Sequence, residues 1–183
     1  MPPDLAEPWR GFLTELDATV EHEAQLHCCG GFVVTAVYGL ARTTADLDVL
    51  SVVPIDQLRA LAALAGRGSK LHRAHGVYLD IVTVATVPDN YEERLTELYP
   101  GRFQHVRVLA LDAYDLILAK LTRNADRDRG DLEYLAAAVP LEPSILRDRY
   151  AREMREYLAV PERDDLTLDL WIDIIEETRH LRE

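Results

Sequence analysis

The chain has 183 residues, of which 48% are hydrophobic and 28% charged, with a formal net charge of −12. That length suits one compact domain, or one with a small helical appendage, burying roughly two thirds of its surface without a disulfide or metal staple. The acidic balance excludes a protein that coats DNA or an anionic membrane through overall charge, although eighteen arginines leave room for a local basic strip beside only two lysines, Lys70 and Lys120.

The first residues carry no basic segment followed by an apolar one, so no secretion signal is expected, and the longest apolar stretch, Leu26 to Ala41, is too broken to span a membrane. A cytoplasmic protein is the expectation. Residues 9–25 place Phe12, Leu13, Leu16 and Val20 on one helical stripe and predict an amphipathic helix. LHCC is a short apolar strand ending at Gly30-Gly31. Its adjacent cysteines, Cys28 and Cys29, suit two small core residues, because a bridge between neighbours strains the peptide and closes no useful loop. FVVTAVYGL, between the glycine pair and Gly39, reads as a buried helix.

Asp46 to Val53 alternates and then turns wholly apolar, a strand stopped by Pro54. Residues 56–65 are a helix with Asp56 near its N-terminus, where negative charge suits the macrodipole. Lys70 to Ala85 reads as a hairpin turning near His75-Gly76, its second arm rich in Val, Ile and Tyr. A short helix around Tyr91–Leu98 and a strand in HVRVLAL follow. From Asp112 the pattern is helical: 113–123, 127–138, 142–158 and 165–181, separated by Pro140, Pro143 and Pro161. The fold class is therefore α+β, a mixed β-sheet core flanked by helices with an all-helical C-terminal part. The expected division is a core with its N-terminal helix over 1–111 and a helical part over 112–183.

Three carboxylates stand out. Asp46 and Asp48 flank Leu47 at the start of a strand, and alternation turns both to one face. Neighbouring carboxylates repel, more so when desolvated, and a hard divalent cation removes that conflict while leaving coordination sites for water and phosphate. Asp80 lies mid-strand in VYLDIVTV, where apolar residues are the rule. Upstream, Gly30-Gly31 at a strand-to-helix junction lets a phosphate approach backbone N–H groups. Strand, Gly-Gly, helix, Arg42-Thr43-Thr44, Asp-x-Asp and a later lone Asp together supply a phosphate cradle and three metal-binding carboxylates, as phosphoryl or nucleotidyl transfer requires.

LHCCGGFVVTAVYGLARTTADLDVLSV resembles the core signature of the nucleotidyltransferase superfamily related to DNA polymerase β: a glycine pair, a helix, Asp-x-Asp, and a third Asp on a later strand. Within it the chain is most similar to the small bacterial proteins grouped with AbiEii-type toxins. Those add a helix bearing a Lys, matched by Lys120 in DAYDLILAKLTR, and a K/R-D-x-x-D-L segment, matched by Arg127, Asp128 and Asp131. The resemblance spans about residues 25–138. It implies that Asp46, Asp48 and Asp80 ligate Mg²⁺ or Mn²⁺, with Asp80 also helping to activate an acceptor hydroxyl. Gly30 and Gly31 would line an NTP's triphosphate, with Thr43 among the nucleotide-binding residues. Lys120 would contact phosphate, and Asp131 would orient Lys120 or the nucleotide.

The same resemblance implies the toxin of a toxin–antitoxin module acting on the tRNA 3′ end, with a cognate antitoxin protein as partner. Its alternatives are an antitoxin-type enzyme that adds AMP to a partner protein, or an inactive binding domain. One departure is Gly31, where many superfamily members carry a phosphate-binding Ser. Blander readings stand beside these assignments: a solvent-exposed pair for Asp46 and Asp48, an ion pair of Asp80 with Arg73 across the hairpin, an ordinary exposed helical Lys120, and a solvated charge-paired helix start for Asp128 and Asp131. The basic residues from Arg67 to His75 are either a track for an RNA end or a solvated hairpin surface.

Overall fold

The computed structural model describes residues 5–181, and among them the chain forms five strands and eight α-helices, the expected α+β class. It divides into two compact units. The first runs to Thr83 and adds Leu95–Ala110; the second comprises Val84–Arg94 and everything from Leu111 onward.

In the first unit, α1 (Trp9–Thr19) buries Phe12, Leu13 and Leu16 completely. It stops at Thr19 instead of reaching Gln25, because the sheet claims the residues beyond: β1 (Ala24–Cys29) pairs parallel with β5 (Val106–Ala110) from Ala24 onward. Asp17 ties α1 to the start of β5. Its carboxylate accepts the backbone N–H groups of Gln104, His105 and Val106 at 2.9, 2.7 and 2.8 Å. Burial opposes its ionisation, yet these three bonds prevail and hold its pKa below the ordinary value.

Next come α2 (Gly30–Tyr38), closed by Gly39 at φ +79°, and β2 (Asp46–Val53), followed by α3 (Leu58–Ala65). The expected hairpin does not form. KLHRAH is a helix, α4 (Lys70–His75): the Ser69 hydroxyl accepts the His72 N–H at 3.0 Å at its start, and Gly76, at φ +74°, closes it. The strand after it, β3 (Tyr78–Ile81), pairs parallel with β2, an arrangement that needs a crossover such as α3–α4 rather than a tight turn. The helix expected around Tyr91–Leu98 is likewise replaced by a 3₁₀ turn, Tyr91–Arg94, and an edge strand β4 (Thr96–Leu98) antiparallel to β5. The sheet order is β3-β2-β1-β5-β4, with β1 and β2 antiparallel.

The second unit holds α5 (Ala113–Leu121), α6 (Asp126–Ala138), α7 (Pro143–Glu153) and α8 (Pro161–His180). The Asp112 carboxylate caps α5 by accepting the Asp115 N–H at 2.9 Å, and prolines in the first turns of α7 and α8 begin those helices without losing a hydrogen bond. Helix α7 ends at Glu153, and Arg155–Tyr157 form a separate 3₁₀ turn. Leu116, Leu121, Leu135, Leu146 and Trp171 are among its buried core. A polar knot lies beside them. Fully buried Asp115 accepts Arg94 at 2.9 and 3.2 Å and Arg149 at 2.8 Å, while Arg94 also reaches Glu153 at 2.8 Å. Among the described residues no helix is long and apolar enough to cross a membrane.

Candidate active site

The parallel register of β2 and β3 sets Asp46 opposite Tyr78, Leu47 opposite Leu79 and Asp48 opposite Asp80. Partners in register point to the same side, so the three carboxylates and Tyr78 share one face of the sheet, while Leu47 and Leu79 bury the other. Asp46 and Asp48 are half-buried. Asp80 is exposed, as its edge strand permits. The Asp46 Oδ1 accepts the Thr44 hydroxyl at 2.6 Å. The ion pair of Asp80 with Arg73 does not form; that guanidinium donates instead to the Gly68 carbonyl.

Arg67 covers this face. Its guanidinium lies 4.8 Å from the Tyr78 ring centre and donates to the Tyr78 hydroxyl at 2.5 Å. That bond, then the phenol's charge, and beyond them the charges of Asp80 and Asp46, raise the Arg67 pKa above its ordinary value. In the sequence Arg67 reads as part of a basic hairpin surface, with nothing local to connect it to the carboxylates. Thr44, and not the expected Thr43, meets the Asp46 carboxylate; Thr43 lies exposed in the loop before β2. The signal for Thr44 was local, a hydroxyl two residues before an Asp.

Gly30 is the tightest point. Cys29 stands opposite Asp48 in the antiparallel β1–β2 register, and the next residue, at φ +72°, turns the chain into α2. A Cβ on Gly30 would lie 1.7 Å from Asp48 Oδ2 and 2.6 Å from its Cγ, so the carboxylate occupies the space a side chain would need. Gly31 is buried in the first turn of α2. Cys28 and Cys29 are buried and form no disulfide. Burial first, then the neighbouring Cys29 and Asp48, push the Cys28 thiol well above its usual pKa, keeping it protonated.

Among the described residues, no group of three or more His, Cys, Asp or Glu side chains is drawn together closely enough to hold a metal ion. The donors on this face are nevertheless hard carboxylate oxygens, two of them in register, and the Cβ-free space at Gly30 lets Asp48 lie against the start of α2. Hard carboxylate oxygens are the donor type that Mg²⁺ and Mn²⁺ take, beside water and phosphate oxygens.

The other expected residues lie in the second unit. Lys120 is only 7% exposed, and its Nζ meets Asp131 Oδ2 at 2.6 Å and Asp128 Oδ1 at 3.7 Å. Asp128 and Asp131 are fully buried, which overturns both the exposed lysine and the solvated helix start. Asp128 accepts Arg123 at 2.8 and 2.5 Å and the Ala125 N–H at 3.0 Å; burial opposes its ionisation, but these partners and Lys120 hold its pKa below the ordinary value. Arg127 is exposed, and Arg123 serves Asp128 instead.

No curated protein and no solved structure matches the chain. Residues 13–179, nearly its whole length, match the family described as "Nucleotidyltransferase of unknown function (DUF6036)". With the Asp-x-Asp strand and its glycine junction lying inside that span, the chain belongs to this nucleotidyltransferase family.

Proposed function

We infer that the chain is a divalent-metal-dependent enzyme that moves a nucleoside monophosphate from an NTP to a hydroxyl and releases pyrophosphate. The observation that carries this reading is the register of Asp48 with Asp80, and of Asp46 on the same face, against a glycine that has no room for a side chain. Asp46, Asp48 and Asp80 hold the metal. When bound, Mg²⁺ or Mn²⁺ neutralises charge on the phosphates and lowers the pKa of the acceptor oxygen.

The chain's own residues do the rest. Backbone N–H groups at Gly30 and Gly31 receive the triphosphate at the start of α2, and Thr43 lies on the loop that follows that helix. Thr44 fixes the rotamer of Asp46. Exposed Asp80 takes the acceptor's proton as its oxygen bonds the α-phosphorus and the bond to the pyrophosphate oxygen breaks. Lys120 belongs to the nucleotide-binding set by resemblance, with Asp131 fixing the direction of its ammonium.

The resemblance to AbiEii-type toxins supports a finer reading: the acceptor is the 3′ end of tRNA, and the chain is the toxin of a toxin–antitoxin pair working in the cytoplasm. The test is incubation of the protein with Mg²⁺, each labelled NTP in turn, and total RNA plus protein extract, beside an Asp46→Ala/Asp48→Ala double variant. Label on a tRNA-sized band, absent with the variant, supports the full reading. Label on a protein band keeps the chemistry and makes the chain an AMPylating enzyme of the antitoxin type. No label from any NTP with folded protein leaves a binding domain without turnover.

A further inference from the structure

Helix α8 is apolar on two sides. Its inward side buries Leu168, Trp171, Ile172 and Ile175. Its outward side carries Leu166 and Leu170, 68% and 61% exposed and one turn apart, with half-buried Ile174 a turn further on. Such an i, i+4, i+8 row is the pattern by which a helix meets another helix. A groove of about 510 Å³ lies along it, lined by Leu170, Trp171, Asp173, Ile174 and Glu177 of α8 together with Asn124 and Arg129. The Trp171 indole N–H donates to Asn124 Oδ1 at 3.2 Å.

Charge decides what fits there. Asp173 and Glu177 lie along the leucine row and make no ion pair among the described residues. Arg129, the one cation lining the groove among the described residues, pairs on the surface with Asp126 at 3.3 Å, and Arg163 nearby pairs with Asp164 at 2.6 Å, so the groove's own acids outnumber its cation. A second copy of this face would set uncompensated acids against acids, and a nucleic acid would be repelled. A helix with its own leucine row flanked by Lys and Arg satisfies both the apolar row and the acids.

We propose that the outward face of α8 docks a basic amphipathic helix of a partner protein. The contact is independent of nucleotide transfer, because every residue in it belongs to the helical unit. Its test uses the full chain with Trp9→Phe, which leaves Trp171 as the reporter. The probes are a synthetic leucine–lysine amphipathic helix about five turns long, a matched leucine–glutamate helix, and a scramble of the first with the same charge and no apolar face.

The expected result is a saturable shift in Trp171 emission at micromolar leucine–lysine helix and none with the other two. Leu170→Glu then weakens binding by about tenfold or more. Asp173→Lys/Glu177→Lys also weakens it and transfers preference to the leucine–glutamate helix. Leu170→Glu adds negative charge, so attraction by charge alone would be kept or strengthened by it, and that result overturns the proposal. Equal binding of the scramble, or no binding of the leucine–lysine helix at millimolar concentration, overturns it too. So does sedimentation showing a wild-type dimer that Leu170→Glu dissolves, which would assign the face to a second copy.

Discussion

Replacing Gly30 by Ala adds one methyl group at the point where β1, α2 and Asp48 meet. At φ +72° a residue with a Cβ costs about 1–2 kcal/mol relative to glycine. The methyl would also stand 1.7 Å from Asp48 Oδ2, about half a van der Waals contact, a gap that no small shift of backbone absorbs. The carboxylate must therefore leave its rotamer, adding about 0.5–1.5 kcal/mol if no good alternative well exists. Urea unfolding followed by circular dichroism should show a loss of about 2–3 kcal/mol. Mn²⁺ binding, followed by water proton relaxation, should fall as far as it does for Asp48→Ala, since both variants take the same carboxylate from the site.

The double variant makes the reasoning strict. Asp48→Ala removes the contacts at 1.7 and 2.6 Å and leaves only the Cβ at 3.0 Å, so Gly30→Ala in that background should cost little beyond its left-handed backbone. A coupling of about 1 kcal/mol is the expected departure from additivity. Strict additivity, or a Gly30→Ala protein with wild-type stability and wild-type Mn²⁺ affinity, would refute the placement of Asp48 against this glycine.

Asp80→Ala should leave stability within about 0.5 kcal/mol, because the side chain is exposed, and lower nucleotide transfer by about 100-fold or more; paired unfolding curves and initial rates test both halves. Lys120→Met leaves Asp131 buried without its cation and should cost about 3–5 kcal/mol in urea unfolding, whereas Lys120→Met/Asp131→Leu should recover most of that loss. Asp115→Ala removes the buried anion that Arg94 and Arg149 share, leaving Arg94 on Glu153 and Arg149 on Asp112. Amide exchange over residues 84–94 should then accelerate more than in α6, because the Arg94–Asp115 pair joins that segment to α5, leaving it the bonds of Arg94, Asp89 and Asn90 to Glu153 of α7. Asp17 has a depressed folded pKa, so its stabilisation is complete above the ordinary value of 3.8 and is lost as the pH falls through the lower folded value. The stability of Asp17→Asn should accordingly fall less steeply than wild type over that acid range; parallel curves would contradict the clamp on Gln104, His105 and Val106.

Features with a local cause were legible in the amino-acid sequence. The α+β class, the strand at Asp46–Val53, the glycine junction before α2 and the helices from Asp112 onward follow from periods of 2 and 3.6, proline starts and glycine stops. Asp-x-Asp put two carboxylates on one face because alternation is a property of a single strand. The family assignment agrees with the nucleotidyltransferase superfamily reading, and its span, residues 13–179, takes in the glycine pair and the Asp-x-Asp strand.

The errors came where a short segment satisfies two patterns. KLHRAH has too few residues to separate a strand from a turn and a half of helix, and the Ser69 cap with the Gly76 stop settled it. TEL became a strand only because β5 offered an open edge. Tertiary structure alone decided that β3 lies parallel to β2 and so brings Asp80 into register with Asp48. It also decided that Arg67 reaches Tyr78 on that face, and that Lys120 is buried on Asp131 rather than solvated. Side-chain periodicity determines which way a residue faces on its own element, whereas its neighbour across the sheet or bundle depends on which element wins the competition to bury that face.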